Sequence, residues 1–373
     1  MRKRVYGILW GTALLACFAK WPLLPGVLRL ICWVSAILAN APGVLVIGKL
    51  FGYLWVRTIP GYLGSAFLSM LLWEPVIRWL ERPVSHSRRV FLVGGAGLAL
   101  TGYGAAVERV NYQVRSYQLY LPDLPPGLEG LRVVLMADLH CGPVNRPASM
   151  RRALQLANDC RPDLVLMPGD FVHYSHTYFP EAAEWLQGLR TRIPGAVVTS
   201  WGNHDHWNDI QRANSVLGAC QGHRLCQQRL VLTEGRTLEA SGQGLWLCGL
   251  DDLWEGKPDL AGILRGIPDN QPRLVLCHNP DVAEEQSGGR VDLMLSGHTH
   301  GGQVSLPGLG TPIVPSHYGQ KYASGWVVGP GGYPVYVTRG LGVGAVPIRL
   351  GVRPEITVFE LHRNDKTRQT VLL

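Results

Sequence analysis

The residues best suited to chemistry in this 373-residue sequence lie at the ends of short apolar runs. Five runs end in polar side chains: LRVVLMADLH, DLVLMPGD, AVVTSWGNHD, PRLVLCH and DLMLSGHTH. Their terminal residues are carboxylates, an amide and imidazoles, namely Asp138, His140, Asp170, Asn203, His204, Asp205, His278, His298 and His300. Open α/β sheets hold their ligands just past the carboxyl ends of their strands. The runs therefore predict that these side chains meet in one site.

The residue types and spacing indicate a metal site. Residues two apart in an extended segment project to the same side, so Asp138 with His140, and His298 with His300, can point into one pocket. Each motif alone is common in turns, but their shared position after successive runs is what favours metal binding. Carboxylate, amide and imidazole ligands without thiolate suit Mn, Fe or Zn rather than a closed structural zinc site. The set exceeds the needs of one ion, which favours two ions sharing a carboxylate.

The elements that must position these residues follow an α/β pattern. Short apolar runs, typical of buried strands, alternate with polar stretches typical of helices. The predicted strands cover residues 131–137, 164–167, 196–200, 245–249, 273–277 and 292–295, and an extended segment precedes them at 112–121. The predicted helices cover residues 147–160, 179–189, 209–217 and 281–286.

The ordered motifs resemble the signature of the calcineurin-like metallophosphoesterases. They are Asp138-Leu139-His140, Gly169-Asp170, Gly202-Asn203-His204-Asp205, His278 and Gly297-His298-Thr299-His300, and the resemblance spans about residues 131–361. Further residues are similar to a bacterial membrane-associated subgroup, namely Gly301-Gly302-Gln303, Thr338-Arg339-Gly340-Leu341-Gly342 and Arg353-Pro354-Glu355-Ile356. The resemblance implies a four-layer α/β/β/α sandwich with a dinuclear metal centre.

The resemblance also implies a role for each residue. One ion would take Asp138, His140 and His300, the other would take Asn203, His278 and His298, and Asp170 would bridge the two. His204 would be catalytic, near the phosphoryl oxygens or the leaving group, with Asp205 a candidate for orienting it. The ions would be Mn, Fe or Zn, with Mn favoured. Where many relatives have Gly-Asp-x-x-Asp, this chain ends the motif in His173.

The predicted activity is metal-dependent phosphoric ester hydrolysis, as a phosphodiesterase or pyrophosphatase. Two ions about 3.5 to 4 Å apart would hold a hydroxide in line with phosphorus. His204 would offset the developing charge or protonate the departing oxygen. No covalent phosphoenzyme is needed.

The first third of the chain predicts a membrane region. Residues 1–109 contain twelve Lys plus Arg against three acids, net +9, while the remainder has 23 against 24, net −1. Apolar stretches cover residues 5–19, 23–39, 41–56, 62–80 and 90–107. Basic residues between apolar segments are typical of membrane flanks. The expected organisation is a transmembrane helical region at 1–109 with four or five spans, a linker and first extended segment at 110–130, and a metallophosphoesterase domain at 131–373.

Topology depends on the number of spans. Arg2-Lys3-Arg4 favours a cytoplasmic N-terminus, and Arg82, Arg88 and Arg89 favour a cytoplasmic start for the last span. Five spans then place the catalytic domain outside a bacterial inner membrane, whereas four would leave it cytoplasmic. The stretch from Ser87 also resembles a twin-arginine signal, although juxtamembrane arginines give the same pattern. Cys220 and Cys226 could form a disulfide if the domain is exported, or remain buried thiols.

The substrate prediction follows from the membrane region. The expected partners are the lipid bilayer and a phosphate ester that is lipid-linked or part of the envelope. A cytoplasmic domain would instead fit UDP-2,3-diacylglucosamine pyrophosphatase, an activity of some membrane-bound relatives. A non-catalytic membrane sensor of a phosphorylated ligand is a further alternative. Nucleic acid is not expected, because the near-neutral domain lacks the basic patch that polyanions need.

Overall fold

The computed structural model describes residues 86–219, 222–286, 288–344, 346–364 and 371–372, almost all within a compact unit from Ser87 to Leu373. The first four apolar stretches lie outside the described residues. The fifth falls on helix α1 (His86–Ala106). Among the described residues, no helix combines the length and apolar character that crossing a membrane requires.

Two seven-stranded sheets form the centre of the unit. The first has the strand order β14-β1-β13-β2-β3-β4-β5. Its strands are β1 (Gln113–Leu121), β2 (Leu131–Leu135), β3 (Leu164–Pro168), β4 (Val197–Ser200), β5 (His223–Arg224), β13 (Glu355–Arg363) and β14 (Val371–Leu372). Strands β2, β3, β4 and β5 are parallel, and β13 pairs parallel to β1 but antiparallel to β2.

The second sheet has the order β11-β12-β10-β9-β8-β6-β7. Its strands are β6 (Gln228–Thr233), β7 (Leu238–Glu239), β8 (Gly244–Gly249), β9 (Arg273–Leu276), β10 (Leu293–Ser296), β11 (Gly325–Val328) and β12 (Pro334–Val337). Strands β8, β9, β10 and β12 are parallel, and the edges are closed by antiparallel pairs.

Helices cover the outer face of each sheet. The remaining helices are α2 (Pro147–Asp159), α3 (Phe179–Gln187), α4 (Asn203–Trp207), α5 (Ile210–Ala219), α6 (Leu260–Leu264) and α7 (Val282–Glu285). Side chains from α2, α3 and α5 share one apolar core with the first sheet, and those from α6 and α7 share another with the second sheet. A third core contains side chains of both sheets. The layers therefore run helix, sheet, sheet, helix.

Strand β2 illustrates why these strands are apolar throughout. Val133 and Leu135 belong to the core between the sheets, whereas Val134 belongs to the core shared with the helices. Because both faces of a central parallel strand are covered, its sequence is an almost continuous apolar run. The carboxyl ends of β2, β3 and β4 in one sheet, and of β9 and β10 in the other, carry all the predicted ligands.

Most predicted elements of the catalytic region are confirmed. The six predicted strands correspond to β2, β3, β4, β8, β9 and β10, and the four predicted helices correspond to α2, α3, α5 and α7. Strand β1 corresponds to the extended segment predicted at 112–121. It pairs along its full length with β13, a strand that was not predicted. The domain boundaries and the pairing of Cys220, which is outside the described residues, stay predictions.

Candidate metal centre

The turns that carry the predicted ligands have unusual backbone geometry. Five of these residues have positive φ: Asp138 (54°), His140 (45°), Asp170 (60°), His298 (70°) and His300 (52°). Residues with a β-carbon avoid this region, at a cost of about 1 to 3 kcal/mol each where the strain clusters at functional sites. The surrounding fold must therefore stabilise these turns. Strained turns of this kind are typical of sites where the backbone places functional side chains.

Glycines let the backbone approach the ligand carboxylates. A β-carbon on Gly202 would lie 2.2 Å from Oδ1 of Asp170, and one on Gly297 would lie 2.7 Å from Oδ2 of Asp138. A β-carbon on Gly340 would lie 2.5 Å from the same Oδ2 atom, and Gly340 also has a φ of +67°. Any larger residue at these positions would occupy the space around the carboxylates.

The carboxylate of Asp170 lies close to predicted ligands from both sheets. Its Oδ2 atom lies 3.3 Å from Nε2 of His140 and 3.2 Å from Nε2 of His278. His140 follows β2 in the first sheet and His278 follows β9 in the second, so this one oxygen faces ligands from both. This is the position that a bridging carboxylate would occupy.

Asp138 and His300 lie beside His140. Nε2 of His300 is 3.0 Å from Nε2 of His140 and 3.6 Å from Oδ1 of Asp138. The backbone N–H of His298 donates to the same Oδ1 atom at 3.0 Å. Three ligand atoms from β2 and β10 thus converge, and the set is the one predicted for the first ion.

Two members of the second predicted set lie together. Nδ1 of His298 lies 3.3 Å from Nε2 of His278, and the third member, Asn203, is buried. Among the described residues, buried atoms without a hydrogen-bond partner include Oδ1 of Asn203, Oδ2 of Asp138 and Nε2 of His298. A buried polar atom without a partner is costly, so these atoms fit a site that binds cations.

The charges of the predicted ligands, which together are called the metal cage below, also fit cations. Burial raises the pKa of Asp138 to about 7. Burial opposes ionisation of Asp170 too, but the imidazoles of His278, His204 and His140 hold its pKa well below the usual value. Burial lowers the pKa of His298 to about 3. Burial likewise holds the pKa of His140 and of His300 well below the usual value. Three of the four predicted imidazole ligands are therefore neutral, the form that metal binding requires.

His278 is the exception. Burial lowers its pKa, but the carboxylates of Asp170 and Asp138 outweigh burial and raise it to about 10. Its Nδ1 atom lies 2.6 Å from the backbone carbonyl oxygen of Pro168, which orients Nε2 towards Asp170. A carbonyl partner of this kind is typical of a metal-ligating histidine.

Comparisons with known proteins assign the family. A sequence model of the calcineurin-like phosphoesterases matches residues 131–302. The uncharacterized metallophosphoesterase YkuE of Bacillus subtilis is 32% identical over 287 residues, which are 74% of this chain and 97% of that protein. The chain belongs to the calcineurin-like metallophosphoesterase family. It is a metal-dependent phosphoester hydrolase.

Two further relatives match this chain over different fractions of their own length. The phosphodiesterase YaeI of Escherichia coli is 32% identical over 233 residues, which are 62% of this chain and 82% of that protein. The transmembrane protein with metallophosphoesterase domain of Danio rerio is 30% identical over 271 residues, 69% of this chain. This metallophosphoesterase spans 59% of the length of the zebrafish protein.

His204 lies next to the predicted ligands of this metallophosphoesterase and belongs to neither predicted set. Its backbone N–H donates to Oδ1 of Asp170 at 2.9 Å, and its Nδ1 atom lies 3.0 Å from Nδ1 of His173. The ring packs at 4.7 Å from the ring of His140 and at 4.7 Å from that of Trp207. Burial lowers the pKa of His204.

Asp205 has a different environment from the one expected. Its carboxylate accepts hydrogen bonds from three backbone N–H groups, those of Asp170, Phe171 and Gly202, at 2.8, 2.9 and 3.0 Å. The side chain at hydrogen-bond distance from the His204 ring is His173 instead. The difference arises because α4 begins at Asn203, so Asp205 points back towards the β3 turn rather than towards its neighbour's ring.

Three residues that sequence reasoning missed also shape the site. Arg349 is fully buried, and its guanidinium lies 3.4 Å from Nδ1 of His300. Asp252 follows β8, is fully buried, and accepts a hydrogen bond from the backbone N–H of Trp254 at 2.9 Å. The ring of Trp254 in turn lies 4.4 Å from the ring of His298. Asp252 shares the strand-end position of the ligands, which could have identified it. Arg349 sits in an apolar loop and gave no such signal.

Proposed function

We propose that this metallophosphoesterase uses two divalent ions, with Mn favoured, to hydrolyse a phosphodiester or pyrophosphate bond. The single observation that carries the proposal is the convergence of His140 and His278 on Oδ2 of Asp170. Asp138, His140 and His300 would hold one ion, and Asn203, His278 and His298 would hold the other. Asp170 would contribute to both.

The chain's own residues would bind and orient the phosphate. Bound ions supply electrophilic stabilisation of a phosphoryl oxygen and a water of lowered pKa. His204, fixed beside Asp170 through its backbone N–H, would place its ring next to the phosphoryl oxygens or the departing oxygen. A hydrogen-bond donor at this point stabilises charge that develops during attack. Asp205 would hold the turn rather than act on the substrate.

A lipid-linked or envelope phosphate ester is the proposed substrate. An apolar loop borders the site, because a β-carbon on Gly344 would lie 3.3 Å from Nε2 of His300. In the same loop Val346 is 45% exposed, and helix α1 reaches the loop through a hydrogen bond from the N–H of Arg349 to the carbonyl oxygen of Gly104. Apolar surface next to a phosphate site favours a substrate with an apolar part.

Two variants test the catalytic proposal. With Mn²⁺ and bis(p-nitrophenyl) phosphate, His204→Ala should keep its metal content but lose roughly 10²- to 10⁴-fold in kcat, the range for a general acid–base group. Asp170→Ala should lose both metal and activity. His176→Ala, which changes an exposed histidine of the β3 loop, is the control and should match the wild type. Near-normal turnover by His204→Ala would defeat the catalytic assignment.

The substrate and the location need separate measurements. For a phosphodiester with long acyl chains in mixed micelles, Val346→Asp should raise KM, while kinetics with the soluble ester stay unchanged. An equal effect on both esters would argue against an apolar substrate.

Protease accessibility of the catalytic domain in spheroplasts would test the proposed placement in the bacterial inner membrane with the domain outside. Protection from protease would favour a cytoplasmic domain.

A further inference from the structure

His173 lies at hydrogen-bond distance from the ring of His204. The two Nδ1 atoms are 3.0 Å apart, and the ring centroids are 4.5 Å apart. His173 is only 8% exposed and lies in the turn that follows Asp170. Its backbone N–H donates to the carbonyl oxygen of Cys141 at 2.9 Å, which ties this turn to the end of the β2 segment. The position of His173 is therefore built into the site.

Packing alone does not define the orientation of the His204 ring. The ring is held between His140 and Trp207, with interplanar angles of 87° and 62°. A half-turn of an imidazole exchanges nitrogen and carbon positions with little change in shape, so apolar packing distinguishes the two orientations poorly. The contact with His173 does distinguish them, because only one orientation places Nδ1 at hydrogen-bond distance.

The same contact constrains the positions of the hydrogens. A hydrogen bond between two imidazole nitrogens needs one donor and one acceptor. If Nδ1 of His204 accepts, the neutral ring carries its hydrogen on Nε2 and can donate to an oxygen of the substrate. A carboxylate in place of His173 could only accept, and would require His204 to use its Nδ1 hydrogen for that bond. An imidazole can donate.

We propose that His173 is a positioning residue that donates its Nδ1 hydrogen to Nδ1 of His204, so that His204 presents Nε2–H to the substrate. This inference rests on the proposed function, since it assigns the geometry of the donor used there. The burial of His173, which is only 8% exposed, supports it, because its ring is held at this place beside His204.

Two amides at position 173 provide a matched test. An asparagine amide reaches the place of Nδ1, whereas a glutamine amide reaches the place of Nε2. In the full-length protein with Mn²⁺ and bis(p-nitrophenyl) phosphate, His173→Asn should keep kcat within about threefold of the wild type. His173→Gln and His173→Leu should lose about 10- to 100-fold in kcat, the range for residues that orient a functional group. KM and metal content should be unchanged in all three.

The control and a spectroscopic readout separate positioning from folding. His176→Leu alters an exposed histidine three residues away and should behave as the wild type. In long-range ¹H–¹⁵N spectra of the Zn²⁺-loaded protein, the His204 signal, assigned by its loss in His204→Ala, should show the Nε2–H tautomer. His173→Leu should give a mixture of tautomers.

The two proposals fail in different ways. If wild-type His204 is the Nδ1–H tautomer, or if His173→Gln or His173→Leu matches the wild type in kcat, the role of His173 is overturned while the catalytic role of His204 stands. If His204→Ala retains turnover, the proposed function fails, and the tautomer spectra still report on the contact between the two rings.

Discussion

The carboxylate of Asp205 accepts the backbone N–H of Asp170 at 2.8 Å, so one acid fixes the main chain of another. The same carboxylate binds the N–H groups of Phe171 and Gly202 and therefore joins the turns after β3 and β4. Burial and the neighbouring Asp170 raise the pKa of Asp205 to about 7, and the three backbone donors oppose this rise. Asp205 thus acts on the metal cage through the backbone.

Asp205→Asn should therefore weaken the cage. The amide would place N–H groups against backbone N–H donors, and an unsatisfied buried donor costs about 1 to 3 kcal/mol of unfolding free energy. We expect a lower melting temperature and about 10- to 100-fold weaker metal binding. Thermal unfolding and metal titration would measure both. Asp209→Asn, on the exposed start of α5, should change neither. A variant with normal metal binding but lost turnover would instead favour a direct role for Asp205 at His204.

Gly340→Ala should remove metal binding on the Asp138 side. Its φ of +67° is unfavourable for alanine, and its new β-carbon would lie 2.5 Å from Oδ2 of Asp138. Gly332→Ala is the matched control, because its φ is +77° but nothing lies within 4 Å of a β-carbon there. The free energy of unfolding of the control should fall by only about 1 to 2 kcal/mol, which is what the left-handed backbone costs an alanine. Chemical unfolding and metal content measure the difference, and equal losses in the two variants would contradict a role for close approach.

Arg349→Met should destabilise the loop beside His300. The guanidinium donates to the carbonyl oxygens of Arg339 at 2.8 Å and of Gly340 at 3.3 Å, and also to that of Gly342. Burial lowers the pKa of Arg349 to about 10, so it stays charged at neutral pH. Losing these donors should lower the free energy of unfolding by about 3 kcal/mol and weaken metal binding at His300. Arg151→Met, on the exposed face of α2, is the control, and wild-type stability of Arg349→Met would refute the prediction.

The pair His206 and Asp251 predicts a pH-dependent stability. Nε2 of His206 lies 3.0 Å from Oδ1 of Asp251. Burial opposes both charges, but the hydrogen bond from His206 and backbone donors lower the pKa of Asp251 to about 2, and Asp251 raises the pKa of His206. The Asp251 contribution is present above its unfolded pKa of 3.8 and is lost as pH falls towards 2. The His206 contribution is present below 6.5 and is lost as pH rises through the raised folded pKa.

Asp251→Asn should therefore be most destabilising near pH 5, where both contributions are complete. We expect a loss of about 1 to 2 kcal/mol there and a smaller one near pH 9. Urea unfolding at both pH values would measure the two losses. Asp209→Asn changes an exposed pair with Arg212 and should have little effect at either pH. A loss for Asp251→Asn that is as large at pH 9 as at pH 5 would show that the backbone hydrogen bonds of Asp251, and not its pairing with charged His206, matter.

Local patterns predicted the frame of the site well. Strands such as β3, with all five residues buried, give continuous apolar runs that end where the ligand follows. Strand β13 was missed because its pairing with β1 joins residues 242 apart, as at Gln113 and Glu355, and no local signal specifies such a partner. Helix α4 was missed because three of its five residues, Asn203 to Asp205, were already assigned to a ligand motif.

The sequence by itself determined which residue types follow which strands, because apolar periodicity and turn residues are local properties. It therefore identified the family and predicted the ligand set. Tertiary structure decided which of these groups touch. His140 and His278 approach the same Asp170 oxygen because they come from different sheets, and His204 contacts His173 rather than Asp205. Such contacts depend on how separate turns pack together, which residue order alone does not specify.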